Sequence, residues 1–236
     1  MNQAQQFKGK VAEHRLINDK FQYIDIELIK PYRFEFQAGQ YISFNLGDEE
    51  RRSYSIASMP QKNNAVEICV DVSPGGKGST FLKNLKPGDE VDFMGPLGQF
   101  GIDKSEKEKK LLLVATGSGI APLRSMILDL LKEKQDKREI KLHWGLRYIE
   151  DMFWEEDFRR LQKYYPNFDF HLTISKPPKL WPLCRGYVTE CIKNEDQLGP
   201  EWGVYLCGNK QMIEEATKLV IDMGVLKEQV HFEKFF

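Results

Sequence analysis

The chain has 236 residues, 41% of them hydrophobic and 29% charged, with a formal net charge of -1. That length accommodates one or two domains, each with a full core. The near-neutral balance argues against a dedicated nucleic-acid binder, which carries a strong basic excess.

The first hundred residues read as strands. Ile24, Ile26 and Leu28 alternate with Asp25 and Glu27, and Val66, Ile68, Val70 and Val72 alternate with Glu67, Cys69 and Asp71. A period of two puts one face inward and the other toward water, as in an antiparallel sheet. Further strands are predicted over Lys8–Ile17, Gln40–Leu46, Arg52–Ala57 and Asp89–Met94, with Gly and Pro between them. Short strands at this spacing suggest a small barrel. The charged run Asp103–Lys110 is excluded from any core and reads as a solvated loop or a linker.

After it, strand and helix alternate. Leu111–Ala115 is continuously apolar, as a buried parallel strand is. Ile120–Lys134 has helical spacing, then come strand Ile140–Trp144, helix Phe153–Tyr164, strand Phe168–Ile174 and short helix Val188–Asn194. Strand Val204–Cys207, helix Met212–Met223 with Gly224 as its stop, and strand Val230–Phe232 complete the series. The pattern predicts two domains. Residues 1–103 form an antiparallel Greek-key β-barrel, and residues 104–236 an α/β doubly wound parallel sheet.

Three glycine-bearing or charged motifs fall at element ends. Thr116-Gly117-Ser118-Gly119-Ile120-Ala121-Pro122 joins an apolar strand to an amphipathic helix. Free N–H groups and the positive helix end suit a pyrophosphate there, and Pro122 suits the first helical turn. A tight turn without a ligand is the other reading. Arg52-Ser53-Tyr54-Ser55 lies on a strand, with Arg52 and Tyr54 on one side: a cation beside an aromatic face, or a plain exposed edge. Gly76, Lys77, Gly78, Ser79 and Thr80 precede a short helical stretch, Phe81–Leu85, and form either an anion cradle or a flexible hairpin loop.

No apolar run approaches the roughly 18 residues of a membrane helix. The opening MNQAQQFKGK has no signal-peptide core. A cytoplasmic protein without membrane insertion is expected. The four cysteines, Cys69, Cys184, Cys191 and Cys207, are scattered, so neither a zinc site nor an iron–sulfur cluster is expected, and a reducing compartment argues against a structural disulfide.

Together these motifs, in this order, resemble the ferredoxin–NAD(P)+ reductase superfamily over nearly the whole chain. R-S-Y-S at 52–55 is similar to that family's R-x-Y-S flavin motif. The resemblance implies bound FAD, with Arg52 on a flavin phosphate, Tyr54 packed on the isoalloxazine and Ser55 near flavin N5. Gly76–Thr80 resembles the second phosphate loop, with Ser79 and Thr80 as ligands, and Gly95–Gly98 resembles the turn that ends the barrel. Thr116–Pro122 resembles the nicotinamide loop, and Cys207-Gly208 the C-G pair beside the nicotinamide. Glu233-Lys234-Phe235 resembles the E-x-aromatic ending whose ring covers the flavin. Because Phe236 follows, both Phe235 and Phe236 are candidates; both also suit a buried final strand.

Ser55, Cys207 and Glu233 would line the reacting contact, positioning the rings and carrying a proton; Cys207 also reads as an ordinary buried thiol. NADH against NADPH stays open. Arg147 suits a 2′-phosphate or pyrophosphate, Asp151 suits a ribose diol or a helix cap, and Ser175, Lys176 and Arg185 are further candidates or simply solvated surface. The resemblance implies a monomer that passes electrons to a separate ferredoxin, flavodoxin or oxygenase component. An NAD(P)H:free-flavin reductase is the second enzyme reading. A nucleotide-binding regulatory or structural subunit is the reading from another class.

Overall fold

The computed structural model describes residues 4–47, 50–103 and 107–234. It divides into two compact units. The first runs through Gly101 and also takes in Ala121–Lys134; the second comprises Ile102–Ile120 and the chain from Gln135 onward.

The first unit holds six strands: β1 (Gln5–Leu16), β2 (Phe21–Lys30), β3 (Tyr41–Asn45), β4 (Arg51–Ser55), β5 (Ala65–Asp71) and β6 (Glu90–Leu97). Their order is β4-β3-β6-β1-β2-β5, with every paired neighbour antiparallel. A bridge from Ile56 to Ile68 joins the two ends, so the sheet nearly closes into the Greek-key barrel. Ile24, Ile26, Val66 and Ile68 are fully buried, as their alternation predicts. Phe7, Phe34, Phe44 and Phe93 fill the centre, with Phe7 stacked on Phe93 at 5.5 Å between ring centroids. The opposite face of β5 is not left to water. Glu67 lies in a salt-bridge pocket made by Lys62 at 2.8 Å and Arg124 at 3.0 Å. Burial pushes its carboxyl up, but Arg124 and Lys62 prevail and hold it below the usual range.

Arg124 and Ser125 belong to α2 (Ile120–Leu128), which continues into a π-helical turn, Asp129–Glu133. Arg124 also donates to the Ala57 carbonyl at 2.6 Å and the Ser125 hydroxyl to that of Ser58 at 2.6 Å, which is why Ala121–Lys134 groups with the barrel. Helix α1 (Lys77–Asn84) begins four residues before the predicted stretch. The glycine segment is therefore the first turn of the helix and not a loop ahead of it: Gly76 is the N-cap, and its carbonyl accepts from the Thr80 N–H at 2.9 Å.

The second unit is a parallel sheet of β7 (Lys110–Thr116), β8 (Glu139–Leu146), β9 (Phe168–Ile174), β10 (Cys184–Arg185), β11 (Trp202–Gly208) and β12 (Val230–Lys234). The order is β10-β9-β8-β7-β11-β12. The chain steps from β7 outward through β8, β9 and β10, then crosses back to β11 and β12. The crossover makes β7 and β11 the topological switch point, where open α/β sheets bind ligands at the carboxyl ends of their strands. Helices α4 (Val188–Glu195) and α5 (Lys210–Asp222) cover the β7–β11 face through Val188, Ile192, Ile213, Ala216 and Val220. Helix α3 (Glu155–Tyr164) places Phe158 against Phe170 of β9.

Two expectations are corrected here. The run 103–110 is not wholly solvated: Glu108 is 2% exposed. Its carboxylate accepts from the Tyr205 hydroxyl at 2.5 Å and pairs with His231 Nε2 at 2.6 Å, which compensates its burial. Residues 104–106 of that run lie outside the described residues. Second, Cys184 and Cys191 form a disulfide. The sequence reading judged disulfides by compartment, whereas β10 and the first turns of α4 bring these two Cα atoms to 6.0 Å, within bridging range. With Cys69 and Cys207 free and buried, thiol titration in denaturant is expected to count two thiols before reduction and four after. A count of four before reduction would refute the bridge.

Candidate functional site

The first candidate site is built where β4 meets the start of α1. Strand alternation aims Arg52 and Tyr54 at the same face, and Gly78 lies against both. A Cβ on Gly78 would stand 2.4 Å from the Tyr54 hydroxyl and 2.8 Å from Arg52 Cγ, so only glycine permits this approach. Tyr54 is half-buried with its ring 5.9 Å from that of Phe44. Burial pushes its hydroxyl up to about 12, with Arg52 opposing, so it stays a neutral donor. Ser53 is exposed and Ser55 buried.

Gly76 makes no side-chain cap and no acid stands in the first turn of α1. Its leading N–H groups are therefore available to an outside anion. Ser79 is half-buried and Thr80 exposed at this end. Two cations flank it: Arg52 and Lys77, both paired to Glu50, the latter at 2.6 Å. Sequence reasoning missed Glu50.

The second candidate site lies at the switch point. Thr116 ends β7, and Gly117–Gly119 form one 3-10 turn that leads into α2 with no side-chain cap. A Cβ on Gly119 would fall 2.2 Å from the Cys207 carbonyl oxygen and 2.6 Å from its carbon. The loop is thus pressed onto the end of β11 by backbone contact. Trp144 Nε1 donates to the Gly117 carbonyl at 3.0 Å and fixes the other side. Pro122 sits in the first turn of α2, as predicted.

Asn209 was missed by sequence reasoning. Its side chain caps α5, accepting from the Met212 N–H at 2.8 Å, and its two nitrogens lie 3.3 Å from Thr116 Oγ1. An Asn just before a helix was the readable signal. The structure therefore brings Thr116, Gly117, Gly119, Cys207 and Gly208 together. Cys207 is fully buried, and burial, with Glu233 adding to it, pushes its thiol well above the ordinary range. Glu233 is its register partner on β12.

The remaining candidates scatter. Arg147 and Lys176 place their charges 5.4 Å and 6.0 Å over the Tyr148 ring, a cationic patch on an aromatic face. Asp151 is buried, and its carboxylate accepts from the Tyr148 N–H at 3.3 Å. It ends a 3-10 turn rather than capping α3, whose N-cap is Trp154. Arg185 donates to the Lys179 and Trp181 carbonyls at 2.8 Å each, organising its own loop. Phe235 and Phe236 lie outside the described residues.

Both sites have the chemistry of phosphate cradles: a close glycine approach, an uncapped helical start and, in the first, two cations beside an aromatic ring. The residues present therefore fit a flavin in the first unit and a nicotinamide dinucleotide in the second.

Comparison with known proteins agrees. Residues 8–102 match the oxidoreductase FAD-binding domain and residues 113–218 the oxidoreductase NAD-binding domain. The chain is 34% identical over 237 residues to the phenol hydroxylase P5 protein of Acinetobacter pittii, covering 98% of this chain and 66% of that one. It is 29% identical over 231 residues to the toluate 1,2-dioxygenase electron transfer component of Pseudomonas putida, covering 97% and 67%. The crystal structure of the Amycolatopsis cytochrome P450 reductase GcoB matches with a TM-score of 0.90 at 26% identity, covering 98% of this chain and 70% of that one. The chain spans 56% to 67% of the length of curated relatives such as these. It belongs to the ferredoxin–NAD(P)+ reductase superfamily of flavin-dependent oxidoreductases, with an FAD-binding and an NAD-binding domain. Among the described residues no helix is long and apolar enough to cross a membrane.

Gly78→Ala is expected to weaken FAD binding about tenfold, the equivalent of one charge-assisted hydrogen bond. The added methyl meets the half-buried Tyr54 hydroxyl as well as the exposed Arg52 side chain, so a modest loss of thermal stability is expected with it. Quenching of FAD fluorescence measures the first and a melting curve the second. An unchanged FAD affinity would place the phosphate elsewhere.

Proposed function

We propose that this chain is an electron-transfer reductase that takes electrons from NAD(P)H and, through bound FAD, supplies them one at a time to a separate acceptor protein, a ferredoxin, flavodoxin or oxygenase component. The observation that carries this reading is the meeting of two separate sequence motifs, R-S-Y-S and G-K-G-S, at Gly78. Flavin, when bound, supplies the conversion of a two-electron donor into one-electron deliveries.

The chain's own residues bind and orient. Arg52, Lys77 and the first N–H groups of α1 hold phosphate, and Tyr54 offers a ring face with a protonated hydroxyl. Thr116 is steadied by Asn209 at the mouth of the nicotinamide site. Cys207 keeps its proton on Sγ at neutral pH, because burial disfavours the thiolate, so it contributes shape and no nucleophile. The oxygenase branch is favoured because relatives include an electron transfer component of a dioxygenase and a cytochrome P450 reductase.

Anaerobic titration of the purified holoprotein with NADH and, separately, NADPH tests the reading. Bleaching of the flavin band at about 450 nm by one of them is expected. No bleaching by either would sink it. Flavin that leaves with the product on gel filtration would point instead to a reductase of free flavin.

A further inference from the structure

We propose that Glu50 is a built-in counter-anion of the flavin-phosphate site: its carboxylate occupies the two cations that a flavin phosphate needs, so that phosphate binds by displacing it. The inference rests on the flavin reading above and concerns which ligands the site admits.

Glu50 stands immediately before β4, and its backbone is fixed at both polar groups. Its N–H donates to the Gly47 carbonyl at 2.8 Å, and its carbonyl accepts from the Leu46 N–H at 2.9 Å. These two bonds fix the backbone from which the side chain reaches. From there one carboxylate oxygen takes Arg52 Nη2, and the other takes Lys77 Nζ at 2.6 Å. Arg52 Nη1 donates to the Arg51 carbonyl at 2.8 Å, which orients the guanidinium toward Glu50. The carboxylate thus bridges β4 to the first residue of α1, beside the Gly78 contact.

A carboxylate and a phosphate present oxygens of the same sign and similar spacing to a guanidinium. Glu50 consequently makes the contacts expected of the ligand. The Lys77 hydrogen bond, with Arg52 beside it, holds the carboxyl below the usual range, so it is ionised at neutral pH. Its side chain is 23% exposed, against 46% for Arg52 and 71% for Lys77, so the anion is the least solvated of the three.

The consequence is selectivity. With Glu50 in place the trio carries one net positive charge; without it the two cations stand free. A phosphate-bearing flavin recovers the displaced pair through its own oxygens and through the N–H groups of α1. A flavin without phosphate has nothing to exchange for them. Weak anions meet an occupied site.

The test is Glu50→Gln in the full chain, stripped of flavin, with FAD and riboflavin as probes and flavin fluorescence as the readout. Removing two partly exposed ion pairs is expected to tighten FAD binding by at least about threefold. Riboflavin affinity is expected to stay unchanged. Glu50→Ala should shift FAD in the same direction, which separates loss of charge from any contact made by the amide. An FAD affinity that is equal or weaker in both variants would overturn the proposal and leave Glu50 as a support that positions Arg52. Riboflavin tightening by the same factor as FAD would overturn it too, since the effect would not then involve phosphate. Failure of wild type and variants alike to bind FAD would refute the flavin reading itself, and the inference with it.

Discussion

Gly119→Ala is expected to weaken NAD(P)H binding about a hundredfold and to destabilise the protein by about 2 kcal/mol. The new methyl would enter a space already filled by backbone: 2.2 Å from the Cys207 carbonyl oxygen, 2.6 Å from its carbon and 2.9 Å from Gly208 Cα. No rotamer change relieves contacts of that kind. Either the end of β11 or the Gly117–Gly119 turn must move. Strand β11 is buried at every residue and paired on both sides, by β7 and by β12, so the turn is the part that yields. That movement carries with it the turn's N–H groups, which have no side-chain cap and which the proposed function assigns to a dinucleotide phosphate. A shift near 1 Å in such a cradle accounts for the predicted loss. Tryptophan-to-NADH energy transfer or calorimetry measures affinity, and thermal denaturation measures stability. A variant that melts lower yet binds NAD(P)H as wild type does would show that Gly119 serves packing alone.

The predicted elements depended on periodicity, and they hold where one physical requirement dominates. Leu111–Ala115 is legible because a strand buried on both faces tolerates no polar residue. Gly224 is legible because a left-handed residue, here with φ of +105°, ends a helix at little cost only as glycine. Glu108 was not legible. Its burial depends on Tyr205 and His231, about a hundred residues away, and no local pattern encodes that pairing. Cys184 and Cys191 are only seven residues apart, but their approach depends on the turn of chain between β10 and α4, which periodicity does not encode.

At the candidate sites the motifs supplied residue types, and the fold supplied their partners. Arg52 and Tyr54 were predicted to share a face, and Gly78 confirms it by touching both. That Glu50 answers the charge of Arg52 and Lys77 was invisible, because the two cations lie on different elements. Asp151 and Arg185, singled out by charge, make backbone hydrogen bonds within their own loops.

Asp196→Ala is expected to cost about 3 kcal/mol of stability, the low end of what removal of one partner from a buried ionic group costs. Asp196 follows α4, and its side chain is fully buried. One oxygen receives Lys141 Nζ at 2.7 Å; the other lies 2.8 Å from Nε2 of the fully buried His143. His143 in turn stacks on His171 at 4.5 Å between centroids. Without Asp196, Lys141 keeps the Glu139 pair at 3.7 Å and its place over the Trp202 ring, and His143 loses the carboxylate 2.8 Å from its Nε2. The low end applies because the Lys141 side chain is still 17% exposed and so keeps some water.

The same group sets an acid limit, and its two members that titrate in acid, His143 and Asp196, act with the same sign. Burial lowers His143 below its ordinary value of 6.5, outweighing Asp196, so the folded protein keeps this ring neutral while the unfolded chain protonates it. Stability therefore declines as pH falls below about 6.5. Burial alone would raise Asp196, but His143 and Lys141 prevail and lower it, so its contribution is present above the unfolded carboxylate value and lost as pH falls through the folded one. Urea midpoints between pH 8 and pH 4 should then fall in two stages. His143→Gln keeps a polar side chain beside Asp196 but removes the titration, and should flatten the first stage while leaving of the second only the part that Lys141 holds. An Asp196→Ala protein that melts with wild type, or a His143→Gln protein with the wild-type slope near pH 6, would show that this buried group contributes no net ionic stabilisation.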